Sequence, residues 1–478
     1  MLSDNWYIAR CNSHIMRKIY ALVAAALMAL PLQATHLMGG EITVQHIGGN
    51  DYVIAMLAYR DTIGVQMAPT VTFEISDTSG VVMTRTIAYD STISGNLLPQ
   101  YPYGVEIYLA VDTIQLTTPG MYEVGWSSCC RNHAIQNLTN PGGESMYFKT
   151  EFEVFPTASN STPFFLVPAA IFLPINVPWQ YNPLPFDVDG DSLYWSTDAP
   201  LRSSTTYCAG FTTPPGDTAN PFSLDPITGT ISWTANTMGN FVATVLVVEF
   251  RNGVRIGSTR RDLQFIVTNP AATPLFTNSS SWPTDVNGHY SFPLTAGAPF
   301  NLSIMADHAD TSAALDMALY GELVQLSATP PSFSFFKTGN GAEVQGTMSW
   351  NVPSAMPVGD RYLNVVRVSD GLHTQDEAFF TVIVAGVGED EVSSTADPII
   401  YPNPVRDQLT IQMGALPLET DLKVELINLY GQVVKEYPIQ RLLAGNNVLR
   451  LPIHADPGMY FLRMKHSDQT WVQAFLIE

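Results

Sequence analysis

The sequence has 478 residues, of which 46% are hydrophobic and only 14% are charged. Ordinary soluble domains carry about 25% charged residues, so Ser, Thr, Asn and Gln must supply much of the polar surface, as they do on secreted β-proteins. The net charge of −21 repels nucleic acid and anionic membranes. Because the chain also has no basic stretch with interleaved aromatic residues, we expect no nucleic-acid partner.

The first predicted element is an export signal over residues 1–34. It consists of a basic start at residues 16–18, an apolar run over residues 19–32, and a small residue, Ala34, before the predicted cleavage point. The apolar run is too short to span a membrane. Translation from Met16 would place the basic residues at the amino terminus, where such signals carry them.

Residues 35–156 are predicted to form an N-terminal β-sandwich. No stretch shows a helical period over ten or more residues, whereas several short runs have the composition of strands. The predicted strands are Asp51–Arg60, Val71–Ile75, Tyr101–Ala110, Met121–Trp126 and Tyr147–Phe155.

The next apolar stretch, Phe164 to Trp179, is interrupted by three prolines. Prolines at this density favour extended strand and linker over a membrane helix. We therefore predict no transmembrane span in the mature chain.

Residues 157–269 and 270–385 look like two copies of one unit. Each copy has a glycine, a tryptophan, a long strand, a turn and a final strand, with Trp233 in the first copy matching Trp350 in the second. This pattern predicts two Ig-like or cadherin-like β-sandwiches, with the tryptophans as core anchors rather than a ligand platform. The small, polar and acidic residues 386–398 then predict a flexible linker.

Residues 399–478 predict a separate small β-sandwich, which makes the whole chain a tandem all-β protein. Short runs of alternating apolar and polar residues are separated by turn residues. The acidic excess lies almost wholly upstream, since this segment holds seven basic and eight acidic residues. The motif residues of this C-terminal segment are Pro402, Asn403, Pro404, Gly431, Gly458 and Tyr460.

The ordered motifs "YPNPVRDQLTIQM", "VELINLYGQVV" and "PGMYFLRM" resemble the C-terminal sorting domain carried by cargo of the type IX secretion system of Bacteroidetes. The resemblance implies a folded sorting signal that the type IX machinery recognises at the outer membrane. It also implies passage through the periplasm to the outer surface or the medium. The final strand, "TWVQAFLIE", departs from the family because it has no lysine.

The start of the predicted mature chain, "THLMGGEITVQHIGGNDYVIAMLAYRD", and the later "WSSCCRN" are similar to the N-terminal region of large secreted Bacteroidetes surface proteins. Members of that group often have a cysteine after Tyr-Arg-Asp, where this chain has Thr62.

A possible calcium site lies in the sequence Asp187-Val188-Asp189-Gly190-Asp191. A hard cation such as Ca²⁺ takes several oxygen ligands at once, and carboxylates at alternate positions around a glycine turn can supply them. The phrase "PLPFDVDGDSLYW" also resembles cadherin-like bacterial repeats in which such aspartates serve Ca²⁺. The alternative is a solvated turn whose Asp side chains accept nearby backbone N–H groups.

The predicted mature chain has three cysteines, Cys129, Cys130 and Cys208. Adjacent cysteines rarely join each other, so we predict one bridge from Cys208 to Cys129 or Cys130. Three buried free thiols are the alternative. A catalytic thiol is disfavoured because His133 is a close sequence neighbour, whereas a catalytic base normally lies across a cleft.

These patterns predict an exported, non-enzymatic surface or extracellular protein that acts in adhesion, as a structural element or as a binding module for a glycan or protein. A secreted hydrolase acting on polysaccharide or protein is the alternative, because many type IX cargoes are degradative enzymes. A cleft with two carboxylates ~5–10 Å apart would favour a glycosidase.

Overall fold

The structure is a computed structural model, and it describes residues 36–98, 104–155, 160–338, 341–384, 398–416, 420–428, 433–466 and 469–477. The predicted signal sequence, residues 386–397 of the predicted linker, and Gly431 lie outside the described residues. The regular secondary structure of the described chain is almost entirely β-strand, with 61% of the residues in strands and 3% in helix, and the predicted all-β fold of tandem sandwiches is confirmed.

The first region contains seven strands. They are β1 to β7, at Leu37–Gly48, Asp51–Asp61, Thr70–Asp77, Gly80–Ala88, Val105–Gln115, Gly120–Cys129 and Ser145–Val154, with a 3₁₀ turn at Pro141–Gly143. They pair in the orders β4-β3-β6-β7 and β1-β2-β5. Strand β2 buries Tyr52, Ile54, Met56 and Ala58 while the residues between them are half-buried, because successive side chains of a strand point to opposite faces.

The second region is organised around one long strand. Its strands β8 to β18 are Phe164–Phe165, Ala170–Pro174, Trp179–Tyr181, Pro185–Phe186, Ser192–Asp198, Leu201–Ser203, Thr206–Tyr207, Ser223–Leu224, Ile231–Trp233, Gly239–Arg251 and Val254–Thr268. Strand β18 pairs with β17 along one edge and with β7, β1 and β9 in turn along the other.

Hydrogen bonding therefore crosses the boundary that the sequence suggests at residues 156 and 157. Gly257 of β18 is paired with Phe152 of β7, and Asp262 is paired with Gly40 of β1. The first two regions share one 11-stranded sheet. The division of the chain into independently folding domains stays a prediction.

The third region is a sandwich of two four-stranded sheets, β19-β21-β24-β23 and β20-β26-β25-β22. Its strands β19 to β26 are Pro274–Phe276, Tyr290–Thr295, Pro299–His308, Asp316–Gly321, Ser332–Thr338, Glu343–Asn351, Arg361–Ser369 and Thr374–Val384, and its short helix α1 is Glu322–Leu326, with a 3₁₀ turn at Ser279–Ser281. The parallel pair β20–β26 corresponds to β9–β18 of the second region. The two regions thus share strand pairing as well as sequence.

Both repeat tryptophans lie in cores. Trp233 has no exposed surface and Trp350 is 3% exposed. The indole N–H of Trp233 donates to the carbonyl oxygen of Pro215 at 3.1 Å, and that of Trp350 donates to Thr329 at 2.6 Å. A buried indole needs such a partner, so these residues anchor packing and offer no surface to a ligand.

The C-terminal region has its own two sheets, β27-β28-β32 and β30-β29-β33-β34, with β31 added to β29. The strands β27 to β34 are Ile399–Tyr401, Gln408–Leu416, Thr420–Asn428, Val433–Glu436, Gln440–Leu442, Gly445–Pro452, Gly458–His466 and Gln469–Ile477. Its core is a cluster drawn only from this region, centred on residues such as Leu409, Val424, Leu462 and Phe475, each with no exposed surface.

The second and third regions meet through a buried polar contact. The Arg367 guanidinium donates twice to the Asp376 carboxylate, at 2.7 and 2.6 Å, and once to the carbonyl oxygen of Asn182 at 2.9 Å. Asp376 also accepts the Asn182 N–H at 2.7 Å, and Trp179 donates to the Thr374 carbonyl at 2.7 Å. Three of these hydrogen bonds cross the boundary, so the contact fixes the two sandwiches relative to each other.

Candidate functional site

The Pro402-Asn403-Pro404 motif joins the beginning of the C-terminal region to its last strand. The Asn403 side-chain oxygen accepts the Leu476 N–H at 2.8 Å, and the N–H of the buried Val405 donates to the Leu476 carbonyl at 2.8 Å. The two prolines remove backbone donors on either side of Asn403. The motif therefore sets the chain path by which the first and last strands of this region are tied together.

Gly458 and Tyr460 begin strand β33. Gly458 has a φ of +155°, which residues with a Cβ rarely adopt. Tyr460 is 7% exposed within the C-terminal core, and burial raises the pKa of its phenol, with smaller contributions from Asp456 and Asp90. These two motif residues are therefore structural, one permitting the turn and the other packing behind it.

The C-terminal region has its own core, and it also packs Phe461 against the upstream core cluster. Tyr320 and Phe461 meet edge to face with ring centroids 6.4 Å apart. A cavity of about 500 Å³ separates the outer face of β1, β2 and β5 from residues such as Pro457 and Ile477. Protein interiors are close-packed, so a cavity of this size marks an incompletely packed part of the boundary.

The aspartates of the predicted calcium motif do not converge as a group of three. Asp187 Oδ1 accepts the N–H groups of Asp189 and Asp191 at 2.9 and 3.2 Å. The Asp189 carboxylate accepts the Ser161 N–H at 2.5 Å, and both oxygens of Asp191 bind Arg251, at 2.8 and 2.6 Å. The turn itself is as expected, but Asp189 is directed to a different partner.

Glu249 of β17, and not Asp189, forms a group of three carboxylates with Asp187 and Asp191. Carboxylate oxygens of Asp187, Asp191 and Glu249 lie within 4.8 Å of one another. Glu249 has no exposed surface, and within the described chain neither of its oxygens has a hydrogen-bond partner. Burial, reinforced by the Asp187 carboxylate, raises the pKa of Glu249 to about 10, and burial raises that of Asp187 to about 7.

Room for the Glu249 side chain comes from Gly257 on the neighbouring strand. The two residues are cross-strand partners, and a Cβ at Gly257 would collide with Glu249 Oε2. The only signal for this residue in the sequence is that it is a single acidic residue in the apolar run "VATVLVVEF". The role of such a residue cannot be inferred from the sequence, because it depends on the 187–191 turn that the fold places beside it.

The predicted bridge from Cys208 is wrong. Cys129 and Cys130 are bonded to each other, and Cys208 is a buried free cysteine. Cys208 packs in a small apolar cluster with Ile135 and Val242, and burial raises the pKa of its thiol. Because Cys129 and Cys130 are paired with each other, Cys208 has no thiol to join in the described chain, and its sulfur lies 3.8 Å from the carbonyl oxygen of Ser145.

The residues that follow the cysteine pair make structural contacts. Arg131 is fully buried and binds Asp262 at 2.5 Å, and Asn132 donates to Asp61 at 2.7 Å. A ring nitrogen of His133 lies 3.0 Å from a ring nitrogen of His36. The sulfurs of Cys129 and Cys130 are bonded to each other, so neither is a free thiol beside His133. This segment thus fastens the end of β6 to β1 and β18.

Comparison with known proteins gives one family match. Residues 399–478 match the family described as a secretion system C-terminal sorting domain. No curated protein matches the chain. Among the described residues, no helix has the length and apolar character needed to cross a membrane.

Several solved structures are similar at low identity. The titin I-band fragment I67–I69 is 10% identical, with 70% of this chain and 93% of that chain covered and a TM-score of 0.16. The N-terminal four Ig domains of Dscam1 isoform 4.4 are 12% identical, with coverages of 86% and 92% and a TM-score of 0.18. Dimeric latent PorU from Porphyromonas gingivalis is 11% identical, with coverages of 65% and 32% and a TM-score of 0.17. Scores this low carry no argument about function.

The predicted sorting domain is thus confirmed both by its own β-sandwich core and by the family match. A domain of this family implies handling by the type IX secretion machinery. Residues 399–478 are a type IX secretion system C-terminal sorting domain, and the protein that carries it is exported to the cell surface or the extracellular space.

Proposed function

We propose that the region upstream of the sorting domain is a non-enzymatic adhesion or binding module, and that it presents loops from rigid sheets to a glycan or protein outside the cell. The observation that carries this proposal is the continuity of the scaffold. One sheet runs through the first two regions, and a buried ion pair of the third region is hydrogen-bonded to the backbone of Asn182 in the second. Rigid sheets of this kind suit loops that bind, since loops held on a fixed scaffold keep their geometry.

The acidic cluster supports the same proposal. Carboxylates with strongly raised pKa values are candidates for general acid–base catalysis, so Asp187 and Glu249 are the pair that a glycosidase interpretation would use. Glycoside hydrolysis needs the sugar between two carboxyl groups. Asp187 is 5% exposed and Glu249 is not exposed at all, so a polysaccharide cannot reach between them. The pair therefore favours a structural or ion-binding role over hydrolysis.

The test compares binding with turnover on the exported protein purified from the medium or the cell surface. We expect saturable binding to at least one member of a panel of glycans and extracellular matrix proteins, with no release of shorter sugars or peptides. Time-dependent cleavage of a polysaccharide or protein by the purified chain would contradict the proposal and favour the hydrolase alternative. Binding that persists after loss of residues 399–478 would assign it to the upstream sandwiches.

A further inference from the structure

The acidic cluster beside β17 has the composition of a buried cation site. We propose that Asp187, Asp191 and Glu249 bind one Ca²⁺ ion, which holds the 187–191 turn against strand β17. The oxygens of the three residues lie within 4.8 Å of one another. This is the spacing that ligands around a single ion require, since Ca²⁺ binds oxygens at 2.3–2.6 Å.

The charge balance of the site requires a partner. Asp187, Asp189, Asp191 and Glu249 bring four carboxylates together, and the one cation that contacts them in the described chain is Arg251, at 2.6 Å from Asp191 and 3.7 Å from Asp189. Asp187 and Glu249 are left without a compensating charge at 5% and 0% exposure. Burying unpaired carboxylates is costly, and a divalent ion removes that cost.

A shared proton satisfies the site less well than an ion does. Three oxygens lack a hydrogen-bond partner in the described chain: Asp187 Oδ2, Glu249 Oε1 and Glu249 Oε2. One proton between Asp187 and Glu249 would pair two of these oxygens and leave the third buried and unsatisfied. A cation can contact all three oxygens at once, because an ion–oxygen contact does not require the fixed direction that a hydrogen bond does.

The donor set selects the type of ion. All the available ligands are oxygens, which suit hard cations rather than zinc or copper. Mg²⁺ usually retains several of its waters, and the burial of Glu249 and Asp187 leaves little access for them. Ca²⁺ accepts irregular carboxylate geometry, so it fits this cluster best.

The site lies where the first two regions meet. Asp189, two residues from Asp187, accepts the Ser161 N–H, and the neighbouring Thr162 N–H donates to Val44 of β1 at 2.7 Å. An ion that holds the 187–191 turn would therefore also hold residues 161 and 162 beside β1. Glu249 is the residue on which this depends, because it is the ligand that comes from the sheet.

Calorimetry on the full chain, stripped with EDTA and dialysed, tests the proposal with CaCl₂ as the probe. We expect a saturable heat of binding and a rise in melting temperature with Ca²⁺, with MgCl₂ giving much weaker binding. The isosteric variant Glu249→Gln should lose at least about tenfold in Ca²⁺ affinity, because it removes a charged ligand. The matched control Asp189→Asn should bind Ca²⁺ nearly as the wild type does.

Melting in EDTA separates loss of the site from loss of the fold. Glu249→Gln should melt at or above the wild-type temperature in EDTA, because it removes a buried carboxylate, and it should no longer respond to Ca²⁺. The proposal is overturned if the wild type shows neither heat nor a melting shift in millimolar Ca²⁺. It is equally overturned if Glu249→Gln binds as the wild type does, or if only Asp189→Asn loses binding. Equal affinity for Mg²⁺ would contradict the assignment to Ca²⁺.

Discussion

The variant Asp376→Asn should destabilise the contact between the second and third regions. Asp376 has no exposed surface and holds Arg367, which is 8% exposed, on the neighbouring strand. Burial lowers the pKa of Arg367, but the Asp376 carboxylate and its hydrogen bonds outweigh burial and keep the pKa above its ordinary value. Neutralising Asp376 leaves this guanidinium buried and charged without its partner.

The size of the effect follows from that burial. Breaking a buried ion pair by removing one partner costs about 3–5 kcal/mol. Asn keeps the shape of Asp376 and can still accept the Asn182 N–H, so most of the cost belongs to the uncompensated charge. Replacing both residues, as in Arg367→Met/Asp376→Leu, should recover part of the loss. About 1–3 kcal/mol should remain, because the Asn182 N–H and carbonyl then lose their partners.

Urea unfolding and scanning calorimetry of the purified protein give the measurement, with each transition followed separately because the chain has several cores. The control is Asp307→Asn, an exposed position on β21 of the same region, which should change stability by no more than about 0.5 kcal/mol. If Asp376→Asn is indistinguishable from Asp307→Asn, the ion pair does not hold the two sandwiches together.

Three further predictions concern the cores and the cysteines. Trp350→Ala should cost about 3–5 kcal/mol in urea unfolding because it empties a buried site, and a change below about 0.5 kcal/mol would mean that the indole is not a core anchor. Burial raises the pKa of Glu377 from 4.5 to about 7, so its contribution to stability is fully present below pH 4.5 and is lost as pH rises through 7. Glu377→Gln should therefore reduce the fall in stability between pH 5 and pH 8 by up to about 3 kcal/mol, while an unchanged pH dependence in urea melts would refute this. Thiol titration of the denatured, signal-free chain should find one thiol, Cys208, without reductant and three after reduction, and three thiols before reduction would contradict the Cys129–Cys130 pair.

Most strands of the sorting domain were predictable because their core residues alternate with polar ones. For example, the alternating run Leu422–Ile427 lies inside β29, whereas the mainly apolar run Trp471–Ile477 lies inside β34. The short strands β27 and β31 could not be found in this way. Each has three residues, too few for a period to show, and they form because longer neighbours offer unpaired backbone groups.

The shared sheet and the acidic cluster depend on contacts between distant parts of the chain. The sequence predicts β18 as the final strand of one repeat. Nothing in the sequence of β18 predicts that β1 and β7 pair with its second edge. Glu249 likewise lies 58 positions from Asp191 in the numbering of the chain. The motif around Asp187 predicted an acidic cluster, but only the fold shows that its third carboxylate is Glu249 of β17 and not Asp189.

The most direct test of the account is the location of the chain with and without residues 399–478 in a host that has a type IX secretion system. Cell fractionation should find the full chain at the cell surface or in the medium and the truncated chain folded in the periplasm. The truncated chain should fold because the sorting domain has its own core. Normal surface delivery of the truncated chain would contradict the account.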